Sequence, residues 1–130
     1  ARQMERAAPL FDLLDGAGDR TERAARLATH RVHQHERLAP FARVAVARSR
    51  EHPAMAQGIA TRRDALRRQA EALFTDELES LDGPVRGDVL DALEAVTSFE
   101  VVDVLVTYRR LPTGRVEAVL TRAILGVLDG

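Results

Sequence analysis

The sequence predicts an all-α domain. Apolar residues recur at helical spacing along the whole chain, and the strict alternation of a half-buried strand is absent. The last third, from Pro84 to Leu128, is apolar around most of its circumference, in two stretches separated by Leu111-Pro-Thr-Gly114. A helix packed on one side shows a stripe, so a helix that is apolar all round must bury a second face. At 130 residues the chain is one domain, long enough for a hydrophobic core without covalent staples.

Six helices are expected. The first covers Arg2 to Leu14, with Met4, Ala7 or Ala8, Phe11 and Leu14 as its stripe, and Asp15-Gly-Ala-Gly18 stops it. Asp19 is an N-cap for the second, and Glu22, three residues on, completes a capping-box pattern. The stripe of that helix is Ala24, Leu27, Ala28, Val32, His35 and Leu38, and Pro40 ends or kinks it. A short third helix follows from Phe41 to Arg50 on Phe41, Val44, Ala45 and Arg48.

Pro53 suits the first turn of a long fourth helix reaching about Ser80. Its stripe is Met55, Ile59, Leu66, Ala70, Leu73, Phe74 and Leu78. The opposite face reads as solvated, with Asp64/Arg68 and Arg67/Glu71 at i,i+4. Leu81-Asp-Gly-Pro84 is a break and restart. The fifth helix runs from Pro84 to Arg109, with Arg109 and Arg110 complementing its dipole. Thr113 is the expected cap of the sixth, which extends to Leu128.

Composition narrows function. The net charge is −1, from 19 basic and 20 acidic residues interspersed along the chain, and every basic residue is arginine. That balance is a poor footprint for direct nucleic-acid binding. Charged residues break every apolar run short of about 20 residues, so no membrane span is expected. Cysteine is absent, which removes disulfides and thiolate chemistry and suits a reducing cytoplasm. The first residues are Ala1-Arg-Gln-Met-Glu, already helix-like and without an initiator Met, which suggests a fragment.

No catalytic constellation stands out. Ser49, Ser80 and Ser98 lack a nucleophile elbow or an adjacent base, and no glycine-rich phosphate loop is present. Among the histidines, His30 and His33 lie at i,i+3, but His35 is about 140° around the helix from His30. A metal site needs more ligands than that, so neither metal nor cofactor is expected. His30, His33 and His52 read as surface residues. His35 falls on an apolar stripe and reads as a satisfied core histidine, with a polar anchor in a ligand pocket as the alternative. The Glu-x-x-His pairs of a di-metal carboxylate bundle are missing.

Several stretches resemble the C-terminal effector-binding and dimerisation domain of TetR-family transcriptional regulators. Arg31-Val-His-Gln-His-Glu36-Arg-Leu-Ala-Pro40-Phe-Ala-Arg43 resembles that family's helix, proline, helix step. Glu51-His-Pro53-Ala-Met55 resembles the turn before the long central helix, which Arg62-Arg-Asp-Ala-Leu66-Arg67 continues. Thr97-Ser98-Phe99-Glu100-Val-Val102-Asp-Val-Leu105, then Arg109-Arg-Leu-Pro-Thr-Gly114-Arg-Val-Glu-Ala118-Val-Leu120, resembles the penultimate helix, turn and final helix. Val102 stands where the family often has tryptophan, and the chain has no Trp. The likeness covers nearly the whole chain apart from the family's helix-turn-helix domain, which this sequence does not contain.

The resemblance implies an effector pocket among the first, second, fourth and fifth helices. The candidates are Phe11, Leu14, His35, Ile59, Leu66, Phe74, Val96 and Phe99. It also implies a homodimer in which the last two helices and their symmetry mates form a four-helix bundle. Candidates from the fifth helix are Val101, Val104, Leu105 and Tyr108. Those from the sixth are Val116, Leu120, Ala123, Ile124 and Val127.

The expected function is the ligand-sensing half of a cytoplasmic repressor. A small, mostly apolar effector would control DNA affinity through an N-terminal DNA-binding domain outside this chain. The rival from the residues alone is a stand-alone helical homodimerisation module with a solid core. A small helical enzyme is a third reading, which would need a cluster of titratable groups facing a cleft.

Overall fold

The computed structural model describes residues 8–130, and every regular element among them is helical. A single 3-10 turn, Ala8–Phe11, precedes α1 (Arg20–Arg48) and α2 (Pro53–Leu73). A short helical turn, Thr75–Glu79, leads to α3 (Gly83–Val96). The α4 segment (Phe99–Asp103) continues as a π-helical turn, Val104–Tyr108, and α5 (Thr113–Asp129) closes the chain. This division into five helices differs from the expected six at four junctions, each with a local cause.

The expected first helix is not continuous through Leu14; its beginning, with Met4 and Ala7, lies outside the described residues. Past Phe11 the chain is irregular up to Asp19. The carbonyls of Leu10 and Asp12 then accept from the Gln69 side-chain amide rather than from a helical ladder.

Asp19 starts α1 by the expected chemistry. Its carboxylate accepts from the Glu22 N–H at 2.8 Å, and the Glu22 carboxylate accepts from the Asp19 N–H at 3.1 Å. Gly18 turns the chain into this cap at φ 100°, where a Cβ would also crowd the Glu22 side chain at 3.1 Å.

Pro40 does not end the helix. The expected second and third helices are one 29-residue helix with Pro40 inside it. Pro40 has no N–H to give the Glu36 carbonyl, so one rung is lost. The stretch beyond is tied down by Arg43, which donates to Asp103 at 2.6 Å and to Thr107 at 2.9 Å. Phe41, Val44 and Val46 are exposed there.

The α2 helix begins on Pro53 as expected but stops at Leu73, short of Ser80. Two outside donors take its last carbonyls. Arg23 donates to the Leu73 carbonyl at 2.7 Å, and the Thr75 hydroxyl reaches those of Glu71 and Ala72. Phe74 leaves helical geometry there and is fully buried.

The expected fifth helix breaks at Thr97 and Ser98. The Thr97 hydroxyl donates back to the Leu93 carbonyl at 2.7 Å, and the Ser98 hydroxyl to that of Ala95 at 2.9 Å. Such local bonds compete with the backbone ladder. Ser98 then caps α4 by accepting from the Val101 N–H. The π turn ends with the Arg109 N–H on the Val104 carbonyl and with Arg110 at φ 53°. Pro112, not Thr113, holds the N-cap position of α5.

One core joins these helices. Ala24, Leu27, Ala28 and Val32 of α1 meet Ala70 and Leu73 of α2, Leu90 and Leu93 of α3, and Val102 of α4. The most extensive packing is α1 against α5, through Val116, Leu120 and Ile124. These three are buried within the single chain, with Leu120 at 1% exposure. They therefore belong to the subunit's own core and not to a dimer face, because α1 already covers them. Leu105, Ala123 and Val127 are half-buried, whereas Val101, Val104 and Tyr108 are exposed.

Polar bonds brace the helices. Arg23 grips both Glu77 carboxylate oxygens, at 2.8 and 2.7 Å, and lies over the Phe74 ring. The expected i,i+4 pairs on α2 give way to cross-helix ones. Arg67 reaches Asp91 and Glu94 of α3, and Arg63 reaches Glu100 of α4. No helix among the described residues is long and apolar enough to cross a membrane.

Candidate functional site

A partly open cavity of about 90 Å³ lies between α1, α2 and α4. One face of α1 supplies Arg31, Gln34, His35, Leu38, Ala42 and Val46. These follow helical spacing, so one wall comes from one stretch of sequence. Across from it, α2 contributes Ile59, Arg62, Arg63 and Leu66. Thr97 and the start of α4, with Phe99, Glu100 and Val102, form the third side, and Phe11 closes one end. Such a space is large enough for several waters or a small apolar group. Drug-sized ligands occupy about 300–1,000 Å³, so a larger occupant requires the helices to part.

His35 is the junction of the site. Its ring stacks on Phe99 with centroids 5.1 Å apart and planes 22° apart. Its Nε2 donates to Asp103 Oδ1 at 2.9 Å. Asp103 also accepts from Arg43 and, at 2.7 Å, from Thr107. Burial pushes the Asp103 carboxyl up, but the bonds from Thr107, His35 and Arg43 outweigh it and hold the group down at about 2. An ionised carboxylate only accepts, which fixes the His35 proton on Nε2.

Arg31 is the second polar feature. It is 3% exposed, and burial pushes its guanidinium down to about 10, so it stays charged at neutral pH. Its partners are all neutral: the Gln69 side-chain oxygen at 2.7 Å, the Leu66 carbonyl at 3.0 Å, and His30 Nδ1 at 3.0 Å. His30 is itself kept neutral, its imidazole lowered to about 4 by burial first and by the Arg31 charge second. Arg31 Nε and Gln34 Nε2 are buried and have no partner among the described residues.

Of the eight residues expected to line a pocket, Phe11, His35, Ile59, Leu66 and Phe99 come together here. Leu14 instead borders a separate open depression beside Glu22, Arg26 and His30. Phe74 fills the core, and Val96 packs against that core, half-buried. Neither lines the cavity, because the core already takes both side chains. Sequence reasoning missed Arg31, Gln34, Leu38 and Val102. The signal for the first three was present: Arg31 lies four residues before His35 and Leu38 three after it, while Gln34 lies three after Arg31 and four before Leu38.

Among the described residues, no group of three or more His, Cys, Asp or Glu side chains is arranged to hold a metal ion. The described residues offer largely apolar walls, one buried cation and two donors that have no partner among them. No protein-family model, curated protein or solved structure matches the chain.

Proposed function

We propose that this chain is the ligand-sensing and dimerising domain of a TetR-like transcriptional repressor acting in the cytoplasm. The observation that supports it best is the partly open apolar cavity between α1, α2 and α4. A solid-core dimerisation module has no use for such a space, and well-packed interiors rarely leave one with buried, unpartnered donors.

The mechanism is a population shift. A small, mostly apolar effector entering between α1 and α4 favours the arrangement in which those helices stand farther apart. The link from His35 and Arg43 to Asp103 is what such an effector strains. Val101, Val104 and Tyr108 of α4 and its π turn, with Leu105, Ala123 and Val127 beside them, are the proposed dimer face. Movement of α4 then changes the spacing of two protomers and of the helix-turn-helix domains they carry. Coupling of about 1–3 kcal/mol is enough to switch affinity 5- to 150-fold.

A thermal-shift screen with small hydrophobic ligands, followed by sedimentation of the hits, tests this. Stabilising ligands whose resonance changes map to His35 and Phe99 are the expected result. A chain that binds none, or that is monomeric at every concentration, removes the reading.

A further inference from the structure

We infer that the cavity takes a short amphiphile with a carboxylate head, its head on Arg31 and Gln34 and its tail against Phe11, Leu38, Ile59 and Phe99. This rests on the cavity being a ligand site and names the chemical class of its ligand.

Three observations converge. First, Arg31 is 3% exposed and has no carboxylate partner among the described residues. A cation buried without a counter-charge is costly, and proteins almost always pair one. Second, Arg31 Nε and Gln34 Nε2, one helical turn apart on the same face of α1, are buried donors with no partner among the described residues. Gln34 is 7% exposed, so bulk water does not serve it. Third, both side chains line the cavity whose other walls are largely apolar.

Water inside the cavity would satisfy the two donors and leave the charge uncompensated. A carboxylate supplies two acceptor oxygens and the missing negative charge together. Among the described residues, the neighbouring carboxylates do not fill this role. Asp103 is committed to His35, Arg43 and Thr107, and Glu100 pairs with Arg63. The cavity's about 90 Å³ limits the enclosed tail to fewer atoms than a benzene-sized site of about 150 Å³ accepts.

The test uses pentanoate and pentanamide, which share a skeleton and differ in charge. Each is titrated into the whole chain and followed by amide and methyl chemical shifts. Pentanoate should bind about tenfold or more tightly than pentanamide, with shifts at Arg31, Gln34 and Phe99. Arg31→Met, which keeps an unbranched apolar stem and removes the guanidinium, should abolish that preference while pentanamide binds as before. Gln34→Leu should reduce it, and it decides the matter should Arg31→Met fail to fold. Equal binding of the two probes at the cavity overturns the carboxylate assignment and leaves the cavity a ligand site. Pentanoate shifts confined to other arginines, unchanged in both variants, overturn the assignment as well. Absence of shifts with either probe overturns it together with the effector-pocket reading.

Discussion

His35 on α1 and Asp103 on α4 are joined by a 2.9 Å hydrogen bond, and both ends are held from behind. Phe99 stacks on the imidazole, while Arg43 and Thr107 hold the carboxylate. The bond therefore fixes the distance between the two helices that frame the cavity.

That carboxylate makes stability depend on acid. Asp103 is held at about 2 against an ordinary 3.8. Glu77 is held at about 2 against 4.5, chiefly by its bonds from Arg23, which outweigh burial. The unfolded chain binds these protons first, so the contribution of the two groups is complete above about pH 4.5 and is lost as pH falls to about 2. Asp103 is worth about 2 kcal/mol and Glu77 about 3 kcal/mol. Urea midpoints should fall across this window. Asp103→Asn or Glu77→Gln should start lower and fall less steeply, and a variant with an unaltered acid limb would refute the assignment.

Gln69 is fully buried and serves three groups at once, the Arg31 guanidinium and the carbonyls of Leu10 and Asp12. Gln69→Leu strands all three. It should cost about 2–4 kcal/mol in chemical denaturation. It should also loosen the segment around Phe11, read as faster chymotryptic cleavage after that residue.

Leu120 and Tyr108 separate folding from association. Leu120 is buried within the chain, so Leu120→Ala should cost about 2–5 kcal/mol and Leu120→Arg should abolish the fold. Tyr108 is 75% exposed. Tyr108→Arg should leave the circular dichroism of the chain unchanged and shift sedimentation toward monomer. A Tyr108→Arg protein that sediments as a dimer would exclude this residue from the contact.

Arg110 adopts φ 53° after the π turn, a position where glycine is the usual occupant. Arg110→Gly relieves the Cβ clash of left-handed backbone, and up to about 1 kcal/mol of added stability is expected in urea. Arg110→Ala, which keeps the Cβ, should not gain.

Local chemistry made much of this fold legible. Asp19 and Glu22 announce their capping box because both partners lie within one turn, and Pro53 marks the first turn of α2. Apolar periodicity runs unbroken through Thr97 and Ser98, so it hides a break that two hydroxyls cause. The persistence of α1 past Pro40 depends on Arg43 reaching across 60 residues of sequence to Asp103. An apolar sleeve also does not say what covers it: Val116, Leu120 and Ile124 were assigned to a twin, and α1 of the same chain lies on them. Within the site, His35 was legible by its stripe. Arg31 was passed over because arginine is read as solvent-facing, although its spacing from His35 put it on the same wall.

Pro40 divides α1 into two parts that are held in different ways. Ala24 to His35 is a post clamped along its length by the core, whereas Phe41 to Arg48 is an outrigger with one missing rung behind it and Arg43 as its cross-helix mooring. Amide protons on the outrigger should exchange with deuterium well before those on the post. Ala42 and Val46 ride on that outrigger and wall the cavity. A change in the space they border is therefore carried to α4 by the bond from Arg43 to Asp103.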